Sequence, residues 1–398
     1  MDSARVRDTA SHGARSGRIA IAVSLLIATA ITAQQTLGHA RSNNFAIFRA
    51  SFWHLLRGQD LYAAYPAEHL DLFKYSPTCA LLFAPFAVVP YGVGLLLWNV
   101  LNAIALSGAI AMLLPGRAAL AALLIVLLEA LGALQNTQSN ALVAGLMILS
   151  LVAVERDRVA GGAAALIAGA TIKLFPLGAG IFGLLTPMRW RHVAWCAVIG
   201  LAFLVLPLAA TSPELLRVQY DSWLAVQKQD STKIGMAWLG GIIEIALGRR
   251  VPHAPFQLFG VATIVTSAWL ARRRWNDDAI IRRLLLASLL IFAVVFNHMA
   301  ESPSFVIAFA GLGIWWATMP RERWRDVLVL MIVLLGSVGG SDLMPKHIRI
   351  AVHGHYQIKA VVTLIGWFAL QYDLWRQINL GAASEPTMPQ VAPMPPAR

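Results

Sequence analysis

Residues 284–316, LLLASLLIFAVVFNHMAESPSFVIAFAGLGIWW, contain two apolar runs on either side of a short polar turn. Arginines precede the first run and follow the second, whereas the turn at residues 297–303 contains no lysine or arginine. Short cytoplasmic loops of membrane proteins carry an excess of basic residues. The stretch therefore predicts two transmembrane helices whose connecting turn lies on the outer face of the membrane.

Apolar runs of similar length recur along most of the chain. Of its 398 residues, 58% are hydrophobic and 13% are charged, whereas soluble globular chains are roughly 45–50% apolar and about 25% charged. This composition excludes a soluble globular protein, a disordered chain and a disulfide-rich scaffold. The twelve runs lie at about residues 19–33, 91–114, 118–134, 141–154, 159–172, 174–187, 193–210, 256–271, 279–296, 304–319, 326–341 and 357–375. They predict an all-α polytopic membrane protein with about twelve transmembrane helices.

The net charge of +12 comes from 32 Lys and Arg residues against 20 Asp and Glu residues. Arginines cluster in the short loops between apolar runs: Arg156, Arg158, Arg189, Arg191, Arg272, Arg273, Arg274, Arg282, Arg283, Arg321, Arg323 and Arg325. With twelve passes, all these loops and both termini lie on the cytoplasmic side. The distribution indicates membrane topology and argues against a nucleic-acid-binding surface.

The chain divides into a polar cytoplasmic tail at residues 1–18, a single membrane domain at residues 19–378 and a Pro-rich, disordered cytoplasmic tail at residues 379–398. Two outer loops, at about residues 38–76 and 211–238, are too polar to span a membrane. Each contains apolar residues that suggest an amphipathic helix on the outer surface.

Two ionisable residues are predicted at membrane depth, Glu129 and Lys173, and Glu244, between two apolar runs, is a third candidate. Burying a charge at that depth costs free energy unless it is paired or hydrated, so each residue is a functional candidate. Lys173 lies in a break within residues 159–187, which form either two short spans or a re-entrant hairpin. Its ammonium could hold a phosphate or carboxylate, or could satisfy free carbonyl groups at the break.

Two polar clusters lie on the outer side. His298 and Glu301, in the turn NHMAESP, share a face if the turn is helical. The last outer loop is crowded with basic side chains: Lys346, His347, Arg349, His353 and His355. These fit either a pocket for a lipid phosphate or a loop that contacts lipid headgroups. No bound metal or cofactor is expected.

Four parts of the chain have a familiar order and spacing. They are NFAIFRASFWHLLRGQDLY at residues 44–62, KYSPTCALLFAPFAVVP with WNVLN at residues 74–90 and 98–102, QNTQSNAL at residues 135–142, and AGGAAALIAGATIKLFPL with RWR at residues 160–177 and 189–191. Together they resemble glycosyltransferase family 87, polytopic enzymes of the GT-C fold class. The resemblance extends over about residues 40–195.

The resemblance implies inverting transfer of a hexose, with mannose favoured, from a polyprenyl-phosphate sugar to a lipid or glycan acceptor. The reaction would take place on the outer face of a bacterial inner membrane, among membrane lipids and without nucleic acid. A carboxylate would accept the proton of the acceptor hydroxyl. Cationic groups would stabilise the phosphate leaving group.

One position departs from the family pattern. The family has its catalytic aspartate at the start of the first outer helix, where this chain has Asn43 and Asn44, and an amide cannot serve as a general base. We expect Asp60 and Glu301 to replace that aspartate, although Asp60 could instead only bond the turn after Gly58. The expected substrate-binding residues are Asn44, Lys173, His298, Arg349, Gln138 and Asn140.

Other assignments stay open. Glu68 and Asp71 are further carboxylates of the first outer loop, although they could only pair with His69 or Lys74. A carrier of a lipid-linked saccharide would use Lys173 and the last outer loop as binding groups, but it should have matched half-domains, which the sequence does not suggest. A catalytically inactive relative acting in an envelope-glycan complex would agree with an amide at residue 44.

Overall fold

A computed structural model describes residues 3–38, 42–230, 238–341, 343–350 and 357–382. Within these ranges the chain is helical and contains no strand. The α-helices are α1 Ser3–Leu37, α2 Asn43–Leu56, α3 Pro77–Leu82, α4 Ala84–Ala87, α5 Tyr91–Leu113, α6 Gly116–Gln135, α7 Asn140–Glu155, α8 Val159–Ile172, α9 Gly180–Leu184, α10 Arg189–Val205, α11 Pro213–Asp230, α12 Leu239–Leu247, α13 Ala254–Ala271, α14 Ala279–Val295, α15 Phe305–Thr318, α16 Arg323–Ile332, α17 Lys346–Arg349 and α18 Ile358–Ala382. Three 3-10 helices, Phe175–Ala179, Leu206–Ala209 and Ser302–Ser304, and a π-helical segment, Val333–Val338, connect or extend them.

Helical structure lies at each of the twelve predicted apolar runs. Within the described residues, five stretches are long and apolar enough to cross a membrane: Gly17–Leu37, Tyr91–Leu113, Gly116–Gln135, Arg189–Ala209 and Ala254–Ala271. Shorter apolar helices complete the bundle. The all-α membrane fold is therefore confirmed. The first helix is longer than expected, because it begins at Ser3 rather than at residue 19.

The centre of the bundle is the contact of α15 with α14 and α6. Gly311 faces α14, where an added Cβ would lie 2.6 Å from the carbonyl oxygen of Ala287. Gly313 faces α6, where an added Cβ would lie 2.8 Å from the carbonyl oxygen of Ala122. Small residues at such positions let helices pack closely in a membrane, where association depends on van der Waals contact.

Charged side chains pair directly at one end of the bundle. Arg282 of α14 donates to Glu155, the last residue of α7, at 2.7 Å. Arg325 of α16 donates to Asp373 of α18 at 2.9 Å. We call this the arginine-rich end, defined by these four residues. The loops that carry the predicted cytoplasmic arginines meet here.

The first outer helix, α2, is covered by protein on its apolar face. Phe45, Phe48, Phe52 and Leu55 are buried, and the ring of Phe48 stacks on that of Phe83 with centroids 5.1 Å apart. We expected an amphipathic helix on the outer surface, and its aromatic side chains join a core shared with α3, α4 and α5. The helix is thereby fixed in position.

The second outer helix, α11, packs against the loop that follows α2. The side chain of Gln219 donates to the carbonyl of Gln59 at 2.9 Å and accepts from the backbone N–H of Leu61 at 3.0 Å. The two loops that the sequence predicts on the outer side therefore pack against each other. The predicted C-terminal tail lies outside the described residues from residue 383 onward.

Candidate active site

A cavity of about 630 Å³ opens at the end of the bundle opposite the arginine-rich end. It lies between the first turn of α2, the loop before α3, the turn between α6 and α7, the break after α8, and the turn between α14 and α15. Its polar lining consists of Asn44, Asp71, Lys74, Tyr75, Gln138, Lys173, Gln227, Gln257, Asn297, His298, Glu301 and Ser304. We call it the outer cavity, because the sequence predicts that these turns lie on the outer face of the membrane.

A row of hydrogen bonds joins a lysine to a carboxylate along one wall of the outer cavity. Lys173 Nζ donates to Asn140 Oδ1 at 2.7 Å, and Asn140 Nδ2 donates to Gln138 Oε1 at 2.5 Å. Gln138 Nε2 then donates to Glu301 Oε2 at 3.0 Å. Each amide accepts from the cationic side and donates towards the anionic side, so the dipoles run in one direction. We call this row the Lys173–Glu301 chain.

Local backbone geometry explains why these four side chains meet. Thr137 has φ of 51°, and its carbonyl accepts from the indole N–H of Trp98 at 2.9 Å; this fixes the tight turn that presents Gln138 and Asn140. Lys173 follows α8 in an extended conformation; the helix ends there because Pro176 cannot donate to the carbonyl of Ile172, four residues earlier, and its ring would clash with that carbonyl. The interruption aims the lysine at the cavity.

Glu301 lies at the start of the 3-10 helix Ser302–Ser304, where its carbonyl accepts from the N–H of Ser304 at 2.9 Å. Its side chain is exposed to the outer cavity. The carboxylate is held at one oxygen by the neutral amide of Gln138.

His298 lies in the same turn and is largely buried. Its Nδ1 lies 3.1 Å from Nε2 of Gln257. Its ring stacks on that of His253, with centroids 4.2 Å apart and planes at 13°. Gln257 and His298 thus form a polar wall made by α13 and the turn after α14.

Asn44 lines the cavity from the first turn of α2, and its Nδ2 donates to the carbonyl of Asn136 at 2.8 Å. The adjacent Asn43 does not line the cavity; its Oδ1 accepts from the N–H of Leu70 at 2.7 Å. Residue 44 therefore faces the same space as Glu301, whereas residue 43 holds the first outer loop.

The loop before α3 adds a cation and an aromatic hydroxyl. Lys74 lies 3.2 Å from Asp71, and both line the cavity. The backbone of Lys74 is fixed because its carbonyl accepts from Gln227 at 2.7 Å and from Trp223 at 3.2 Å. Burial raises the pKa of Tyr75 well above its ordinary value, so its hydroxyl stays protonated.

Comparison with known proteins agrees with this geometry. The sequence profile of glycosyltransferase family 87 matches residues 73–297, more than half of the chain. The chain belongs to glycosyltransferase family 87. No curated protein matches the sequence significantly.

The architecture matches a solved membrane enzyme. The crystal structure of ArnT from Cupriavidus metallidurans bound to undecaprenyl phosphate superposes with a TM-score of 0.50 at 13% identity, covering 92% of this chain and 78% of ArnT. The apo structure of the same protein matches with a TM-score of 0.44, also at 13% identity, over 92% and 77% of the two chains. At this identity the likeness concerns the fold alone, and it confirms the expected GT-C architecture of this family 87 member.

Most of the predicted substrate-binding residues meet at the outer cavity of this family 87 protein: Asn44, Gln138, Lys173 and His298 line it, and Asn140 joins two of them. Arg349, at the end of α17, is not among the lining residues. His353 and His355 lie outside the described residues. Within the described residues, no group of three His, Cys, Asp or Glu side chains is arranged to hold a metal.

The two predicted catalytic carboxylates differ in their surroundings. Glu301 faces the cavity, but Asp60 does not line it. Asp60 Oδ1 instead accepts from the N–H of Tyr62 at 3.0 Å, and Tyr65 donates to its carbonyl at 2.8 Å. Asp60 thus bonds the turn after Gly58, as the alternative interpretation expected, and a sequence cannot easily separate these roles for an aspartate in a turn.

Sequence reasoning missed several cavity residues and one buried pair. Lys74 was expected only as a partner of Asp71, and Gln257 was not expected at the site. Sequence reasoning also missed Lys359, which lies 2.9 Å from Glu129. A signal for that pair was available, because a lysine and a glutamate inside apolar runs of a membrane protein are expected to find each other. Glu244, the third ionisable candidate, accepts from the N–H of Val251 at 2.9 Å and is not among the cavity residues.

Proposed function

We propose that this family 87 glycosyltransferase transfers a hexose, with mannose favoured, from a polyprenyl-phosphate sugar to a lipid or glycan acceptor. The Lys173–Glu301 chain carries the proposal, because it holds a cation and a carboxylate in one cavity without letting them pair. A transferase of this kind needs both: positive charge for a phosphate leaving group and a base for the acceptor hydroxyl.

Two lysines would hold the phosphate of the donor. Lys173 and Lys74 both line the outer cavity, and a lysine binds phosphate as a compact point charge. Negative charge on the phosphate grows as its bond to the sugar breaks, so these cations would bind the transition state more tightly than the ground state. The ArnT structure that shares this fold is bound to undecaprenyl phosphate, which supports a polyprenyl-phosphate partner for this chain.

Glu301 would act as the general base. The oxygen of an acceptor hydroxyl attacks the anomeric carbon, the bond from that carbon to the phosphate oxygen breaks, and the hydroxyl proton passes to the Glu301 carboxylate. The products are the glycosylated acceptor and the polyprenyl phosphate. Attack from the face opposite the leaving group inverts the anomeric configuration.

Polar groups of the cavity wall would hold the sugars. Asn44, Gln138 and His298 each offer hydrogen bonds to hydroxyls from the cavity wall. Asn44 takes the position of the family aspartate, and its amide would orient a hydroxyl without removing its proton. Asp60 is the second candidate base, and its bond to the turn backbone makes Glu301 the preferred one.

We propose that the outer cavity faces the outside of a bacterial inner membrane. The arginine-rich end lies opposite the cavity, and the positive-inside rule would place it in the cytoplasm. Both chain termini would then also be cytoplasmic. A donor that enters from the lipid could reach the cavity through the exposed apolar surface of α10 and the groove it forms with α11.

The test uses the detergent-solubilised full-length protein with radiolabelled polyprenyl-phosphate mannose and a crude bacterial membrane-lipid extract. Donor binding is measured in the same preparation by equilibrium dialysis, and a parallel assay uses radiolabelled polyprenyl-phosphate glucose. We expect donor binding and a labelled product that has a new glycosidic bond. A product formed only from the glucose donor would support the transferase activity and change the proposed sugar from mannose to glucose.

Two outcomes would contradict the proposal. Donor binding with no product in any extract would favour a carrier or an inactive relative. A protein that binds neither labelled lipid would contradict the donor class itself. Reconstitution in vesicles distinguishes a carrier from an inactive relative, because a carrier would move the labelled lipid between leaflets whereas an inactive relative would not.

A further inference from the structure

A second polar cluster lies beside the 3-10 helix Ser302–Ser304, next to the outer cavity. Lys359, near the start of α18, points its ammonium at Glu129 of α6: Nζ lies 2.9 Å from one carboxylate oxygen and 3.1 Å from the other. Both residues are buried. Ser337, in the π-helical segment, donates to the carboxylate at 2.8 Å. Three elements far apart in sequence thus meet at one ion pair.

The same ammonium reaches the turn that carries Glu301. Lys359 Nζ donates to Ser302 Oγ at 3.1 Å, and it lies 5.5 Å from the centre of the Phe305 ring. Ser302 directly follows Glu301 in the chain. Glu301 is therefore restrained at its side chain by Gln138 and at the next residue by Lys359.

Stability alone does not account for such a pair. A buried ion pair loses hydration energy, and replacing it with well-packed apolar residues is often neutral or stabilising. Here both charged groups have further hydrogen bonds: the Lys359 ammonium bonds Glu129 and donates to Ser302, and the Glu129 carboxylate also accepts from Ser337. Buried polar groups with fully satisfied bonds fix one geometry. The geometry fixed here is that of the segment that follows Glu301.

We propose that the Glu129–Lys359 pair is a positioning device for Glu301 and acts through the hydroxyl of Ser302. This inference rests on the proposed function, in which Glu301 is the general base. Neither member of the pair lines the outer cavity, so neither touches the substrate. Proton transfer requires a base within hydrogen-bonding distance of the acceptor hydroxyl, and a displacement of about 1 Å lowers rates by up to about a hundredfold.

The cluster supplies its own matched control. Ser302 and Ser337 each contribute one hydroxyl to the same ion pair, at 3.1 Å and 2.8 Å. Only Ser302 neighbours Glu301, because Ser337 belongs to the π-helical segment on another side of the pair. A role in stability alone would make Ser337 the more sensitive position, because Ser337 is buried and Ser302 is exposed. A positioning role would make Ser302 the more sensitive position for kcat.

The experiment compares Ser302→Ala, Ser337→Ala and Ser302→Thr in the radiolabelled transfer assay, with kcat, donor KM and thermal unfolding measured for each. We expect Ser302→Ala to lower kcat by about tenfold while the donor KM stays within about twofold, because the base moves and the phosphate site does not. Ser337→Ala should lower kcat clearly less than Ser302→Ala does, because the bond from Lys359 to Ser302 remains. Ser302→Thr should restore most of the rate, because it keeps the hydroxyl.

A double variant keeps the test valid if single changes to the pair disturb folding. Glu129→Leu with Lys359→Met removes both charges and leaves no unpaired ion. We expect it to fold and to lose kcat as Ser302→Ala does. Equal kcat values for Ser302→Ala and Ser337→Ala, or a double variant with wild-type kcat, would overturn the inference alone. An inactive wild-type protein would overturn the proposed function and this inference with it.

Discussion

The two ends of the bundle use charge in opposite ways. At the arginine-rich end, Arg325 and Asp373 bond directly, with contacts of 2.9 and 3.1 Å, and the indole of Trp315 donates to the same carboxylate at 2.8 Å. At the outer cavity, Lys173 and Glu301 are separated by two amides. A direct pair satisfies both of its charges, whereas the amides keep Lys173 and Glu301 in place but apart.

From this difference we expect the reaction to take place at the outer cavity. Arg325 and Asp373 are both almost completely buried, and their remaining bonds go to protein groups, so no ligand can use them. Glu301 is exposed to the cavity, and Lys173 is partly exposed there. The arginine-rich end should therefore govern stability, and the outer cavity should govern the reaction.

The largest expected effect tests the cavity side of this comparison. Glu301→Gln keeps a side chain that can bond to Gln138 but removes the group that accepts a proton. We expect kcat to fall by about 10²–10⁴-fold, the usual contribution of a general base, with little change in donor KM or thermal unfolding. The measurement is initial rates of labelled product formation.

Asp60→Asn is the matched control for that change. It removes the charge of a carboxylate that accepts from the N–H of Tyr62 and does not line the cavity. We expect it to retain most of the wild-type kcat. If Asp60→Asn loses the activity and Glu301→Gln keeps it, the base has been assigned to the wrong carboxylate.

The next effect tests the arginine-rich end. Asp373→Asn leaves the buried guanidinium of Arg325 without its counter-charge, which typically costs about 3–5 kcal/mol. We expect a much lower unfolding temperature in detergent, and kcat per folded molecule close to that of the wild type. Asp221→Asn, at an exposed position on α11, is the control and should change stability by less than about 0.5 kcal/mol. A stable Asp373→Asn protein with reduced kcat would reverse the assignment of the two ends.

A smaller effect concerns the cation of the Lys173–Glu301 chain. Lys173→Met removes the charge but keeps an unbranched side chain, so we expect donor KM to rise by about 10–100-fold, equivalent to one lost charged hydrogen bond of about 1.5–3 kcal/mol. Lys228→Met on α11, outside the cavity lining, should leave donor KM unchanged. A Lys173→Met protein that fails to fold would instead assign the lysine to the backbone break after α8.

The helices were more predictable than the site. Apolar runs and arginine-rich loops identify the membrane bundle because both are local properties of the sequence. Gln138, Asn140 and Lys173 could be proposed from their family motifs, and Glu301 from its position in an outer turn. The bond between Gln138 and Glu301 spans 163 residues, and that between Lys359 and Glu129 spans 230. Such contacts depend on helix packing, which periodicity does not encode.

Asp60 and α2 also show what the sequence does not determine. The spacing of the apolar residues of α2 predicted a helix correctly, but it did not predict what covers the apolar face of that helix. Asp60 is close in sequence to the residues that enter the cavity, yet its side chain turns back to the N–H of Tyr62. Sequence proximity within a loop does not determine which way a side chain points.

The smallest expected effect is a difference in pH sensitivity between the two ends. Guanidinium groups keep their charge at all physiological pH values, but α2 contains His54, which is buried and lies 3.2 Å from Glu68. Burial lowers the pKa of His54 in spite of that glutamate. The unfolded chain therefore binds the proton more readily than the folded protein does. The stability that neutral His54 contributes is fully present above pH 6.5 and is lost as the pH falls through the lowered pKa. The free energy of unfolding changes by at most about 1.4 kcal/mol per pH unit in that range. We expect the difference in unfolding temperature between pH 7.5 and pH 5.5 to be smaller in His54→Gln than in the wild type. If the unfolding temperature changes equally with pH in both proteins, His54 is not the source of the acid sensitivity, and the two ends of the bundle respond alike to acid.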